Sequence, residues 1–367
     1  MSNTKILAFY LPQFHETEYN NEWWGKGYTD WVAAKNARPL FKGHNQPRRP
    51  LNDNYYDLAD ESGATWKWQA DLAREHGIYG FCIYHYWFKG TGYLDTPVKI
   101  LLNHPEIDIN YSLCWDSGSW KRTWYANSSE FETLVQQDYG DESMWEKHFK
   151  DLLPYFKDSR YIKIDNKPVF HIYKAHLIPC LKAMRDCWNR MARNEGFAGV
   201  YLIVGDVSNR ESLLDKADAF YNYQPVYSHE HGSKDAEVVS RMLLAELKKT
   251  INRLLGTKMF PDKRPAKMMY RLIKKQDKYD VGKTNYGIIA DYDDTPRKQL
   301  KGVVVTENDV KYFKDALRCL LEKSCQKGNN FVYITAWNEW GESSYLEPDA
   351  VNGTKYLEAV KEAVGEE

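Results

Sequence analysis

Two glutamates three residues apart, Glu339 and Glu342, are the side chains whose type and spacing point most directly to chemistry. On a helical or turn-like backbone, residues at that spacing share a face, with Cβ atoms about 5–6 Å apart. On a strand they would point to opposite sides. A chain that turns here therefore brings two carboxylates together. Cleavage of a glycosidic acetal with retention uses carboxyl groups about 5–5.5 Å apart, one assisting at the anomeric carbon and one protonating the leaving oxygen. Two acids that close do not readily ionise together, so one keeps its proton near neutral pH and the pair divides into acid and base. In isolation, glutamates at this spacing are usually solvated decoration. Here they follow the apolar run 331–336 and alternate with Trp337 and Trp340, which implies a walled site.

Such a pair needs a scaffold. Short apolar runs recur at Lys5–Gln13, Tyr79–Phe88, Asn110–Asp116, Lys167–Lys174, Val200–Asp206, Ala219–Pro225, Tyr286–Asp293 and Asn330–Trp337. Several are near-continuous, as expected for parallel strands covered on both faces. Helix-like stretches follow at Ala64–His76, Thr96–Asn103, Ser143–Phe156, His176–Asn194, Ser208–Lys216, Asp235–Leu255, Asn308–Lys327 and Val351–Val364. Eight strands each followed by a helix predict a (β/α)8 TIM barrel of class α/β. A doubly wound sheet is the competing architecture. The chain has 367 residues, against ~250 for a bare barrel. The surplus falls in two long connections, 14–63 after the first strand and 226–285 after the sixth. With no repeat or Gly/Ser linker, residues 1–367 are expected to form one catalytic domain.

Active sites of such barrels lie at the C-terminal ends of the strands. Aromatics, histidines and carboxylates collect there: Tyr10 and His15, with Trp24 in the long connection; His85, Tyr86 and Trp87; Trp115 and Asp116, with Trp120, Arg122 and Trp124 close behind. The later strands contribute His171, Asp206, Tyr223, Tyr292, Arg297, Trp337, Asn338 and Trp340. These are the candidate substrate contacts. His15, His85 and His171 could in principle share a metal, but no HxH or HxxxH spacing supports it, and no metal is expected. No phosphate loop or GxGxxG motif appears, and no cofactor is expected.

Composition narrows the partners. Thirteen Trp, 27 Tyr and 14 Phe make 15% of the chain aromatic, although mean hydropathy is −0.67. Either a core packed with large rings or a groove whose ring faces meet the C–H faces of sugars accounts for this. Fifty basic against 51 acidic side chains argue against a nucleic-acid partner. No apolar run reaches the ~18 residues of a membrane span, and no signal-peptide pattern precedes Lys5. Six cysteines without metal-type spacing read as reduced thiols, and the expected location is cytoplasmic. A basic stretch from Lys248 to Lys283 reads as solvated helix faces, with a polyanion, a phosphorylated donor or an anionic lipid carrier as the alternative partner.

The motifs resemble a known family. Phe9-Tyr10-Leu11-Pro12-Gln13-Phe14-His15, Glu22-Trp23-Trp24-Gly25-Lys26-Gly27-Tyr28-Thr29-Asp30-Trp31 and Gly80-Phe81-Cys82-Ile83-Tyr84-His85-Tyr86-Trp87-Phe88 are similar to WbsX-type proteins, also called glycoside hydrolase family 99-like. Asn166-Lys167-Pro168-Val169-Phe170, Ala336-Trp337-Asn338-Glu339-Trp340-Gly341-Glu342 and Tyr345-Leu346-Glu347-Pro348 extend the resemblance over nearly the whole chain. Family 99 enzymes are retaining, endo-acting α-mannosidases on a (β/α)8 barrel. The resemblance implies that Glu339 deprotonates a sugar 2-hydroxyl, which attacks C1 to give an epoxide-like intermediate, and that Glu342 is general acid, then base. It places Tyr292 beside the first glutamate, with Arg297 following in the same stretch. Where relatives carry Ala-Asn-Glu-Asn-Trp, this chain reads Asp116-Ser117-Gly118-Ser119-Trp120, so a substrate-touching carboxylate is missing at Gly118 unless Asp116 replaces it.

The expected function is retaining cleavage of an α-mannose- or rhamnose-like linkage in an oligosaccharide or polysaccharide. Two alternatives stay open: a glycosyltransferase of surface-polysaccharide (lipopolysaccharide or capsule) synthesis, and a barrel that binds glycans without cleaving them.

Overall fold

A computed structural model of the chain describes residues 4–122, 132–205, 208–232, 239–240, 243 and 261–365. Trp124, Asp206, most of the helix-like stretch 235–255, and Lys248, Lys249, Arg253 and Lys258 of the basic run lie outside the described residues.

The eight apolar runs form eight parallel strands: β1 (Lys5–Tyr10), β2 (Gly80–Phe88), β3 (Asn110–Trp115), β4 (Lys167–Ile172), β5 (Tyr201–Val204), β6 (Ala219–Tyr221), β7 (Thr284–Ile289) and β8 (Phe331–Thr335). Neighbours in sequence are neighbours in space. β1 closes the ring by pairing with both β2 (Leu7↔Gly80) and β8 (Lys5↔Phe331). The architecture is a single-domain (β/α)8 barrel. Its interior is filled by aromatic side chains projecting inward from the strands. Phe9 of β1 lies 5.2–5.6 Å from the rings of Tyr84, Tyr221, Tyr223 and Tyr333. Below it His171 Nε2 and the Tyr333 hydroxyl are 2.8 Å apart. A Cβ on Gly287 of β7 would stand 1.8 Å from the Asn222 carbonyl oxygen, so the wall closes there only around glycine.

Helices Ala64–Glu75, Thr96–Asn103, Glu142–Lys157, Leu181–Asn194, Ala266–Ile273, Val310–Lys327 and Lys355–Gly365 surround the barrel. Two expected helices differ. The stretch 176–194 begins as a 3-10 turn, Ala175–Leu177, and becomes α-helical only at Leu181. Pro179 explains the break, because proline lacks an N–H and pushes the residue before it out of the α region. Residues 208–216 form only the 3-10 turn Arg210–Leu213. There Asn209 takes a left-handed conformation (φ 58°), and Arg210 turns inward to donate to the Tyr221 carbonyl at 2.9 Å.

The first long connection carries helices Glu18–Trp24 and Asp30–Asn36. Thr17 caps the former by accepting from the Asn20 N–H at 3.2 Å. In the second connection, Asp262–Pro265 pairs in parallel with Val303–Thr306. Of the basic run, Lys263 lies 3.3 Å from the Phe41 ring centroid and Arg264 pairs with Asp262 at 2.8 Å. Among the described residues no helix is long and apolar enough to cross a membrane.

Candidate active site

Beyond β8 the chain makes a short antiparallel pair, Asn338–Glu339 against Ser344–Tyr345, joined by the 3-10 turn Trp340–Glu342. This is the turn that residues at i and i+3 need to share a face. Asn338 fixes it to the end of β1: its Nδ2 donates to the Leu11 carbonyl at 3.0 Å and its Oδ1 accepts from the Leu11 N–H at 2.7 Å. Trp340 stacks on Tyr345 at 3.8 Å between ring centroids and donates from Nε1 to Glu347 Oε2 at 2.6 Å.

Glu339 and Glu342 both line a cavity of ≈ 700 Å³ formed by the strand ends. Their surroundings differ. Glu339 is buried, and its Oε1 accepts from the Tyr84 hydroxyl at 3.0 Å and the Tyr223 hydroxyl at 3.3 Å; those hydroxyls are 2.7 Å from each other. Burial, reinforced by the negative charge of Glu342, pushes the Glu339 carboxyl up to about 8. Glu342 is partly open, and its Oε1 accepts from Arg297 Nη1 at 2.8 Å. Arg297 comes from the short helix Thr295–Lys298 after β7, and its Nη2 donates to Asp30 Oδ1 at 2.6 Å. Burial favours a proton on Glu339, whereas Glu342 forms an ion pair with Arg297. Two carboxylates with unlike surroundings are the arrangement that acid–base division requires.

The cavity collects Trp24, Tyr86, Asp116, Trp120, Tyr223 and Arg297 from among the candidate contacts. Trp120 meets Tyr86 edge-on at 5.0 Å and Trp23 at 5.8 Å, so a run of rings leads from Tyr84 towards the mouth. Asp116 makes one long contact, from the Gly118 N–H at 3.4 Å, and burial raises its carboxyl pKa against the pull of Lys174. Its carboxylate is open to the cavity where no side chain projects from Gly118.

Other candidates lie behind the wall, and these placements correct the expectation that all of them touch substrate. Tyr10 faces the outer helices, stacked on Trp66 at 4.5 Å and donating to Gln69 Oε1 at 2.7 Å. His85 meets His148 through their Nε2 atoms at 2.9 Å, and burial pushes its pKa down to about 4. Trp87 stacks on His148 at 4.0 Å and donates to Asp151 at 2.9 Å. Trp115 packs edge-on to His148 and Tyr139. His171 lies in the barrel interior, while His15, Trp337, Asn338 and Trp340 are buried in the packing around the site. Arg122 supports the wall from outside, donating to the Trp23 carbonyl at 2.6 Å and lying 5.3 Å from the Trp24 ring centroid. The Tyr292 hydroxyl donates to Asp294 at 3.1 Å, and the nearby charge of Glu342 adds to burial in raising its pKa. The three histidines have different neighbours. Among the described residues the one His/Cys/Asp/Glu group with ligand atoms close enough for a metal is Glu142, Glu146 and Cys187. Those residues lie on the outer helices.

Tyr84, Tyr173, Gln13 and Asn20, none of them among the candidate contacts, also line the cavity. Asn20 Nδ2 is buried there without a hydrogen-bond partner among the described residues. The available signal was alternation. On β2 Tyr84 and Tyr86 share the inner face, and His85 and Trp87 share the outer one.

Fold and site together describe a (β/α)8 barrel that sets two unlike glutamates in the wall of one cavity at its strand ends. The family model described as Glycosyltransferase WbsX matches residues 6–360, and the chain belongs to that family. Uncharacterized protein WxcX from two strains of Xanthomonas campestris pv. campestris is 28% identical over 366 residues, covering 98% of this chain and 49% of the relative. The chain thus spans about half the length of these curated relatives. Among solved structures, a GH99 endo-α-mannosidase from Bacteroides thetaiotaomicron in complex with bis-tris-propane is similar, with a TM-score of 0.58 at 14% identity over 100% of this chain and 97% of that one. A glycoside hydrolase-like protein has a TM-score of 0.62 at 14% identity, covering 99% and 94% respectively. At that identity the likeness concerns the fold.

Proposed function

We propose that the protein cleaves an α-mannose- or rhamnose-like linkage in a polysaccharide with retention, using Glu339 and Glu342 as a pair that shares one proton. The observation that carries this reading is the unequal setting of the two acids in one cavity wall: Glu339 under two tyrosine hydroxyls, Glu342 on Arg297. In the free protein burial places the shared proton on Glu339. A sugar 2-hydroxyl donating to Glu339 stabilises its anion and moves the proton to Glu342. Glu339 then takes the 2-hydroxyl proton as O2 attacks C1. The bond from C1 to the leaving oxygen breaks, and Glu342 protonates that oxygen. In the second half Glu342 deprotonates water, water oxygen bonds to C1, the C1–O2 bond of the three-membered ring breaks, and Glu339 returns its proton to O2.

A mannose-configured imino sugar soaked into crystals tests the roles: its 2-hydroxyl is expected on Glu339, and a ligand that leaves Glu339 uncontacted overturns them. Transfer to a sugar hydroxyl in place of water uses the same residues. The name of the family favours this second reading, with the protein acting in the cytoplasm on surface polysaccharide before export. A requirement for nucleotide sugar, with no free sugar released from oligosaccharide, selects transfer over hydrolysis.

A further inference from the structure

Asp30 is fully buried at the start of helix Asp30–Asn36, and both its oxygens are used. Oδ1 accepts from Arg297 Nη2 at 2.6 Å, and Oδ2 accepts from the Gly341 N–H, inside the turn between the two glutamates, at 3.0 Å. The other arm of the same guanidinium, Nη1, holds Glu342 at 2.8 Å. A Cβ at position 341 would stand 2.6 Å from Arg297 Nε and 2.8 Å from Asp30 Oδ1, so the turn closes on this clamp only as glycine.

We infer that Asp30 is a positioning residue: by holding one arm of Arg297 and the Gly341 N–H it fixes how the other arm meets Glu342, and its charge acts on the buried Glu339 beside them. The inference rests on the reading that Glu339 and Glu342 exchange a proton. Asp30 also adds to the forces that raise the Glu339 carboxyl.

The other charged and titratable groups around the pair come from every neighbouring element. They are Tyr84 and Tyr86 of β2, Asp116 after β3, Tyr173 and Lys174 after β4, Tyr223 after β6, and Tyr292 and Asp294 after β7. Of these carboxylates and cations, Asp294 is paired with Lys298 and Asp116 lies in the field of Lys174. Asp30 is bonded to Arg297, so its loss changes what Glu342 meets through that contact.

Asp30→Asn keeps the size and an acceptor for the Gly341 N–H but removes the charge. Without that charge Glu339 binds its proton less tightly, and the limb of the pH–rate profile that it sets on an activated aryl α-mannoside is expected to move down by about one pH unit. Asp30→Glu, which restores the charge, is expected to leave the midpoints in place even where turnover falls. A purely structural role would lower the melting temperature or turnover at every pH without moving the midpoints. Carboxyl carbon NMR of glutamate-labelled protein reads the same midpoints without substrate, with Glu339→Gln and Glu342→Gln assigning the resonances. Unmoved midpoints in folded Asp30→Asn overturn the inference; Asp30→Ser, which leaves room for water, replaces that variant if it does not fold. Should the parent protein turn over no glycoside, the functional reading fails, while the NMR midpoints still decide the role of Asp30.

Discussion

Glu339 and Glu347 stand eight residues apart in one segment, both buried at the same end of the barrel, and they differ in how they are satisfied. Glu347 accepts at Oε1 from Gln69 at 2.7 Å and at Oε2 from Tyr56 at 3.0 Å and Trp340 at 2.6 Å. Glu339 accepts at Oε1 alone, from two tyrosines, and borders the cavity. Burial raises both carboxyls, Glu347 to about 7 and Glu339 to about 8. A raised pKa therefore does not by itself mark a reactive acid. Free valence does. Glu347 spends its oxygens on Trp340, Gln69 and Tyr56 and so holds the turn in shape, whereas Glu339 keeps one oxygen for something that enters the cavity.

The sharpest way to break this contrast is substitution at both sites. Glu339→Gln is expected to lower turnover about 1000-fold, within the range for loss of a positioned acid or base. Its melting temperature should stay near or above that of the parent, because the variant removes an ionisable group from a buried position. Steady-state rates and calorimetry on the same preparation read both. A variant that unfolds but retains its rate per folded molecule would reverse the assignment.

Glu347→Ala should behave in the opposite way. It leaves the Tyr56, Gln69 and Trp340 donors without an acceptor, and orphaned buried donors cost about 1–3 kcal/mol each. A loss of roughly 3 kcal/mol in denaturant unfolding is expected. Turnover should fall only as far as the Trp340–Glu342 turn loosens. Equal losses of stability in the two variants would remove the distinction between holding and reacting.

The same comparison explains what the sequence made legible. All eight strands were readable because parallel strands covered on both faces are near-continuous apolar runs. The turn that carries Glu339 and Glu342 was readable because it begins five residues after the end of β8. Reading strand ends as whole segments, however, merged two faces. Tyr10, His85, Trp87 and Trp115 stand one position out of phase with Tyr84, Tyr86 and Asp116, and they pack against the helices. Asp30 and Glu347 carry no local signal. Their partners lie 267 or more residues away in sequence for Asp30, and 278 and 291 away for two of the three of Glu347, so only the closed barrel brings them together.

A smaller effect lies in the pH dependence of stability. A carboxyl whose folded pKa is raised binds its proton more tightly in the folded state. Its contribution is complete below the unfolded value near 4.5 and is lost as pH rises through the folded value. Unfolding free energy should therefore fall from about pH 4.5 towards about 8, by on the order of 1 kcal/mol per unit while each group titrates. Glu347→Gln should roughly halve the slope below about 7, whereas Glu339→Gln should roughly halve it below about 7 and remove the decline between about 7 and 8. Activity should also fall as pH rises through about 8, where the pair loses its shared proton. A stability curve that is level across this window would show that neither acid carries the raised affinity.

Two tryptophans separate the cavity wall from the packing behind it. Trp120 faces the cavity beside Tyr86 and Trp23, whereas Trp337 is fully buried against Phe81. Trp120→Ala removes a ring face that borders the cavity, together with its contacts to Tyr19, Trp23, Tyr86, Phe88 and Tyr93. It should raise KM about 10-fold on an oligosaccharide, in line with an aromatic contact of roughly 1 kcal/mol plus its buried area. kcat on a short aryl glycoside should change little, because the acid pair is untouched. Trp337→Ala opens a void in the core and should cost about 3–5 kcal/mol of stability with no separate effect on KM. If Trp120→Ala instead lowers kcat on the short substrate as much as on the long one, the ring belongs to the reacting centre, and the cavity is a single subsite instead of an extended groove.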